Sequence, residues 1–492
     1  MNLNYIPEPF LYFNNNKKCI DPKIGLLKHG PNGLTEDNQE IQLGVVGSIN
    51  SIIETKLFLN RLENGIQGVE FPDTRIRGID FPGVDKGLPL GYYFKFDEAY
   101  SESIPNDILT LMNSDEKRTV KITEAAKAFE QALKDLSGIH PTPDIVLISI
   151  PEEILNNCCN PLFKQRRIKL IDRTYADLNR LSKLPDDLKP ILIDFHHYLK
   201  VISYELNLRT QVLQHTTINF ASNRQDPSTI AWNFAVANFY KATGTPWKLA
   251  DLQPETIHVG ISFYNDIGSE SKPVVRAAIA QVYMKTGDSQ IIRGIEIPLK
   301  EEEDRVPCLT EEQSSNILKQ AISLYKRQHD NKSPYRVILH KKSPYSEEEM
   351  TGFQASCEGI VKKDFIHIYE RTNLRILTPS KYPVIRGTVL SNKHKGKEEN
   401  YIYTYGYIPA FATYPGSSVP SPIRVGFEKT DSSAEQISLD ILNLTKLDWN
   451  SAKFASRLPV TVSVSSKVGE ILGEMKLYKT EVDPPASYSY YM

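Results

Sequence analysis

The sequence predicts an α/β protein in two parts: a mainly parallel sheet, then a mixed sheet with flanking helices. Short continuous apolar runs at 41–47 and 144–150 read as strands buried on both faces, as in parallel sheets. Segments with helical apolar spacing alternate with them, at 51–62, 122–136, 196–206 and 229–243. After residue 254 the order changes to a strand at 256–263, a hairpin centred on Gly287-Asp288, and then alternating strands and helices. That second order is the one of an RNase H-like domain.

In chain order, the first 35 residues read as loop-rich, with Pro7, Pro9 and Gly30-Pro31-Asn32-Gly33. The 41–47 strand and the 51–62 helix form a βα unit with a glycine turn. Residues 72–105 and 157–188, polar and rich in Pro or Gly, read as excursions. A strand is expected at 210–213, and the 229–243 helix is stopped by Gly244 and Pro246. Beyond the 254 boundary, helices are expected at 310–329, 434–444 and 467–472, with another ending at 353–359. Strands are expected at 335–340, 365–369, 386–390, 401–408 and 423–427. The two domains are thus 1–254 and 255–492.

The chain has 492 residues, which is a prior for two to four domains and ample for a large core. With 58 basic and 60 acidic residues its formal net charge is −2, so any nucleic-acid site is a local patch. The absence of an 18-residue apolar run excludes a spanning helix, and the first residues lack the pattern of a secretory leader. Five cysteines without C-x-x-C spacing fit reduced thiols in the cytoplasm.

His196 and Lys200, four apart, share one helical face. Gln211 follows in a strand and Lys241 near a helix end. Convergence of two Lys, a His and a Gln at the carboxyl edge of the sheet would make a phosphate pocket. From His196 to Lys248 there are five basic residues (Lys200, Arg209, Arg224, Lys241, Lys248) against two acids (Glu205, Asp226), a local excess suited to a nucleic-acid end. The plain alternative is that such lysines are ordinary solvated side chains.

The stretch 232–249, in which a Lys-bearing helix runs into Gly244-Thr245-Pro246-Trp247, resembles the end of the Argonaute MID domain. His196-x3-Lys200, Gln211 and Lys241 resemble the family's four-residue pocket for a guide 5′ phosphate, with His where Tyr is common. Leu444-Thr445-Lys446-Leu447-Asp448-Trp449-Asn450, with 459–461 and 467–472, resembles the close of a PIWI domain. The resemblance spans most of the chain, from Glu8-Pro9 to the tail ending Tyr490-Tyr491-Met492. It implies a Rossmann-like MID domain followed by an RNase H-like PIWI domain, with no PAZ domain: a short prokaryotic Argonaute, most like those paired with a TIR–APAZ protein. It adds Asn233 as a contact to the first guide nucleotides, and Asn443 and Asn450 as residues facing the guide. It implies magnesium at the guide 5′ phosphate, held by Gln211 and the C-terminal carboxylate of Met492.

Catalytic PIWI domains hold two metal ions with carboxylates. Where the resemblance places the first Asp, the chain has Ser262. After the strand that should precede the second it has Lys341 and Lys342, and the last position falls near Ser465 or Ser466. No catalytic residue is therefore assigned. Asp266 is expected past the strand end. The expected function is recognition of complementary single-stranded DNA by a guide RNA without cleavage. The implied partner is an APAZ-linked effector, a TIR NADase. NAD depletion, abortive infection and higher oligomers on target binding, in defence against plasmids and phage, would follow. The alternatives are a guide-directed nuclease with non-standard carboxylates, or a sirtuin-like or nuclease effector. No membrane partner is expected.

Overall fold

The computed structural model describes residues 2–34, 39–69, 78–159, 194–220 and 225–492, except 243, 251, 254, 267–273, 278–279, 284–288, 293–295, 298–306, 395–396, 415, 417, 479–482 and 484. The first sheet has the strand order Tyr92–Ser103, Gln39–Gly47, Ile145–Ile150, Thr210–Gln214, all parallel. Period-two alternation sends Ile145 and Leu147 to one face and Val146 and Ile148 to the other. The first pair packs with Phe58 and Leu62 of the helix Ile49–Glu63 and Ala235 and Phe239 of the helix Pro227–Ala242. The second pair packs with Phe129 and Leu133 of the helix Arg118–Ser137 and Leu199 of the helix Phe195–Glu205. Both faces are covered, which is why these strands read as unbroken apolar runs.

The second sheet has nine strands: Asn2–Tyr5, Thr388–His394, Lys397–Ile402, Ile423–Thr430, Lys362–Tyr369, Arg336–Lys341, Thr256–Ile261, Ala280–Tyr283 and Ser289–Ile292. Arg336–Lys341 runs parallel to both its neighbours, and the other pairs are antiparallel. Val337 and Leu339 meet Ile317 and Ala321 of the helix Glu311–Gln328, which a Thr310/Gln313 capping box starts. On the other face Ile338 and Ile366 meet Ile441 of the helix Ala434–Leu444 and Val462 of the helix Val460–Glu474. A Cβ at Gly260 would collide with the Thr461 carbonyl, so the first strand of this half needs glycine where that helix crosses it. The α/β class and the parallel-then-mixed order are as expected.

Several expected elements differ. The first 35 residues are not loop throughout: Asn2–Tyr5 joins the second sheet, and Pro22–His29 is a helix capped by Asp21. Pro22 at the first helical position starts that helix, where proline is favoured. Residues 92–103 of the presumed 72–105 excursion form an edge strand. The last long helix begins at Val460, seven residues before the expected Lys467, because Pro459 opens it. The expected hairpin is present as Ala280–Tyr283 paired with Ser289–Ile292. Its Gly287-Asp288 turn and nearly all of 157–188 lie outside the described residues. None of the five cysteines is in a disulfide. Among the described residues no helix is long and apolar enough to cross a membrane.

Candidate nucleic-acid interface

Asp194 caps the helix Phe195–Glu205, accepting from the backbone N–H of His196 (3.1 Å) and of His197 (3.4 Å). Phe195, Leu199 and Ile202 pull one side of this helix into the first core. Val201 and Tyr204 pull the other side against the buried tail, where Tyr204 meets Tyr491 with ring centroids 5.0 Å apart. Lys200 is dragged inside with them and is 1 % exposed. Lys241, at the last turn of the almost wholly buried helix Pro227–Ala242, is also 1 % exposed.

The two ammonium groups converge. Lys200 Nζ and Lys241 Nζ both donate to the Thr210 carbonyl, at 2.7 and 2.9 Å. Lys200 also donates to a main-chain oxygen of Met492, and Lys241 to Gln211 Oε1 at 2.7 Å. Gln211 Nε2 in turn donates to the Val212 carbonyl at 3.0 Å. Burial pushes Lys200 down to about 7, and burial plus the neighbouring Lys200 pushes Lys241 well below its ordinary value. Two buried lysines meeting at one carbonyl form a site in which burial disfavours their charged forms. An anion there would gain charge-assisted bonds and restore both protons.

The structure thus brings Lys200, Gln211, Lys241 and Met492 together. Thr210 and Gln211 are the first residues of their strand, so the cluster lies at its amino end, not at the expected carboxyl edge. His196 is exposed on the first turn of the same helix as Lys200. Asn233 does not join the cluster: its Oδ1 accepts from the Ala452 N–H at 3.0 Å, tying the first half to the second. Asn443 is fully buried, and its Nδ2 donates to the Leu439 carbonyl at 3.1 Å, so it faces the core and not a groove. Asn450 is exposed in the turn after Asp448. The Thr210 carbonyl, which organises both lysines, was invisible to side-chain reasoning.

In the second half, Ser262 Oγ donates to the Ser465 carbonyl at 3.0 Å, so the two positions expected to carry metal ligands are adjacent. Asp266 is the last residue of the strand Phe263–Asp266, not beyond it. Lys341 does not face solvent. It is buried and held by both Glu349 oxygens at 2.5 Å, which leaves Lys342 as the exposed charge there. Arg386 and Lys446 are buried too, on Glu8 at 2.9 and 2.7 Å. Burial alone would raise the Glu8 carboxyl, but Arg386 and Lys446 hold it below its ordinary range. Lys446 also donates to the Ile20 carbonyl at 2.6 Å, and its own carbonyl accepts from Trp247 Nε1 at 2.8 Å.

A family model described as Piwi domain matches residues 184–476, more than half of the chain. No curated protein matches the chain. Among solved structures, Clostridium butyricum Argonaute bound to a guide DNA and a 19-mer target DNA superposes with a TM-score of 0.61 at 14 % identity. That match covers 99 % of this chain and 54 % of the other. Drosophila Piwi gives 0.59 at 12 % identity, over 99 % of this chain and 56 % of that one. A. aeolicus Argonaute gives 0.56 at 14 % identity, over 99 % and 55 %. The chain spans about half the length of the structures it matches.

Proposed function

The chain belongs to the Piwi domain family, and from that membership we propose that it binds the 5′-phosphorylated end of a guide, RNA by preference, and uses it to find complementary single-stranded DNA. The observation that carries this is the pair of buried ammonium groups meeting at the Thr210 carbonyl. Residues 1–254 would then serve as the MID domain and 255–492 as the PIWI domain. His196, exposed one turn before Lys200, would contact the guide end from solvent. Asn450 would contact the guide, while Asn233 would act through its bond to Ala452.

Magnesium would sit at the same phosphate. The oxygens that meet the lysines, Gln211 Oε1 and a main-chain oxygen of Met492, suit this hard cation in kind. Bound there, it would offset phosphate charge. Lys200 and Lys241 would hold the phosphate from the protein side.

We read the PIWI half as a binding groove without cleavage. Its expected metal positions are occupied by Ser262 and by Ser465 on the helix that crosses it, and neither supplies an anion. Guide-loaded protein should leave a complementary single-stranded DNA intact with magnesium or manganese. Products abolished by Asp266→Asn would favour the nuclease alternative. The resemblance to short Argonautes supports a partner chain with an APAZ-linked effector, a TIR NADase, which target binding switches on in defence. Loss of NAD on adding target to the co-purified complex would support this. Unchanged NAD would point to a sirtuin-like or nuclease effector or to none.

Phosphate affinity should fall as pH rises. Free Lys200 loses its proton above about pH 7, and the bound phosphate requires that proton back. Each further unit therefore costs up to about tenfold in affinity per proton taken up. A titration of guide binding from pH 6 to 9 checks this. A 5′-hydroxyl guide should lack the slope, and equal slopes for both guides would remove the phosphate from the pocket.

A further inference from the structure

One turn of the helix Phe195–Glu205 carries a second chemistry. A carboxylate oxygen of Asp194 and one ring nitrogen each from His196 and His197 lie within 4.8 Å of one another. Among the described residues, this is the one group of three or more His, Cys, Asp or Glu so arranged. Two imidazoles and a carboxylate suit zinc, cobalt or a similar first-row divalent ion. Magnesium, which prefers six oxygens in octahedral array, is poorly served by such a set.

A separate observation points the same way. His197 Nδ1 lies 3.0 Å from Oε1 of Glu474, which is buried at the end of the helix Val460–Glu474. The other Glu474 oxygen accepts from Tyr478 OH at 2.6 Å, and the Tyr478 ring packs on Tyr198 with centroids 5.0 Å apart. A carboxylate that engages one ring nitrogen fixes the tautomer and aims the other nitrogen, which is how metal-binding histidines are commonly oriented. The Asp194 carboxylate is fixed as well, by capping the helix through Oδ1.

We propose that Asp194, His196 and His197 bind one divalent transition-metal ion, with Glu474 as a positioning residue for His197. The site is distinct from the lysine cluster and shares with the guide-end reading only His196. It draws on both halves of the chain, because Glu474 comes from the second.

The test uses the full chain, stripped with a chelator and titrated with cobalt(II) while visible absorption is followed. One equivalent should saturate the signal. Zinc should displace it, and a large excess of magnesium should not. Glu474→Gln should weaken cobalt binding about 10–100-fold. His197→Gln should weaken it further, as should Asp194→Asn, in which Asn still caps the helix. Cobalt binding unchanged in these variants, or equal displacement by magnesium, would overturn the assignment. So would absence of binding by a wild-type chain that shows a normal cooperative urea transition.

Discussion

Replacing Lys200 and Lys241 together by methionine will lower affinity for a 5′-phosphorylated guide by about 10²- to 10⁴-fold. Each lysine offers a charge-assisted hydrogen bond of about 1.5–3 kcal/mol, so the pair contributes about 3–6 kcal/mol. Methionine suits the test because both side chains are 1 % exposed, where alanine would leave a cavity. The change removes two desolvated amine groups while orphaning the acceptors Thr210 O, Gln211 Oε1 and a main-chain oxygen of Met492. These effects oppose, so stability should move by no more than about 2 kcal/mol. Filter binding with 5′-phosphate and 5′-hydroxyl guides, beside a urea titration, separates the two readouts. A variant that folds and still prefers the phosphate would sink the pocket.

The largest stability effect is expected at Arg336→Met. Arg336 is completely buried between Asp364 and Asp440, with Nε–Oδ2 and Nη1–Oδ2 distances both 2.6 Å. Asp364 also accepts from the Asp431 and Ser432 N–H groups at 2.9 and 3.0 Å, so it has support of its own. Asp440 does not share that turn. Burial already pushes its carboxyl up to about 6, against the pull of Arg336. Removing the guanidinium strands buried carboxylates and should cost about 3–5 kcal/mol, a large share of a typical 5–15 kcal/mol. Adding Asp440→Asn should recover part of it. A denaturant midpoint unchanged in Arg336→Met would show that the triad contributes nothing net.

What the sequence made legible follows the range of the interactions involved. The runs at 41–47 and 144–150 revealed strands because both faces of the first sheet are covered. The helix Ala434–Leu444 and the hairpin around 287–288 were readable because capping and turn chemistry are local. The lysine pair was readable because His196, Lys200, Gln211 and Lys241 keep a family spacing. Its position at the amino end follows from Thr210 and Gln211 opening the strand Thr210–Gln214, as the expected 210–213 strand already implied. The pairing of Arg386 and Lys446 with Glu8 was not legible, because that counter-ion lies more than 370 residues away in sequence. Asn443 was misread for a similar reason: at one helix position, core-facing and groove-facing residues differ by a rotation that only packing fixes.

The pairing of Asn2–Tyr5 with Thr388–Ser391 bears on how the chain is made. During synthesis the first strand leaves the ribosome long before its hydrogen-bonding partner exists. Its Leu3 and Tyr5 remain 65 % and 52 % exposed even in the finished protein. Glu8 waits as well, for Arg386 and Lys446. The strand Asn2–Tyr5 therefore cannot pair until residues 388–391 have been made, a high-contact-order closure that is slow by nature and leaves an unpaired strand open to wrong partners meanwhile. Cells that produce this chain at high rate should accumulate it in aggregates sooner than their yield of folded protein saturates.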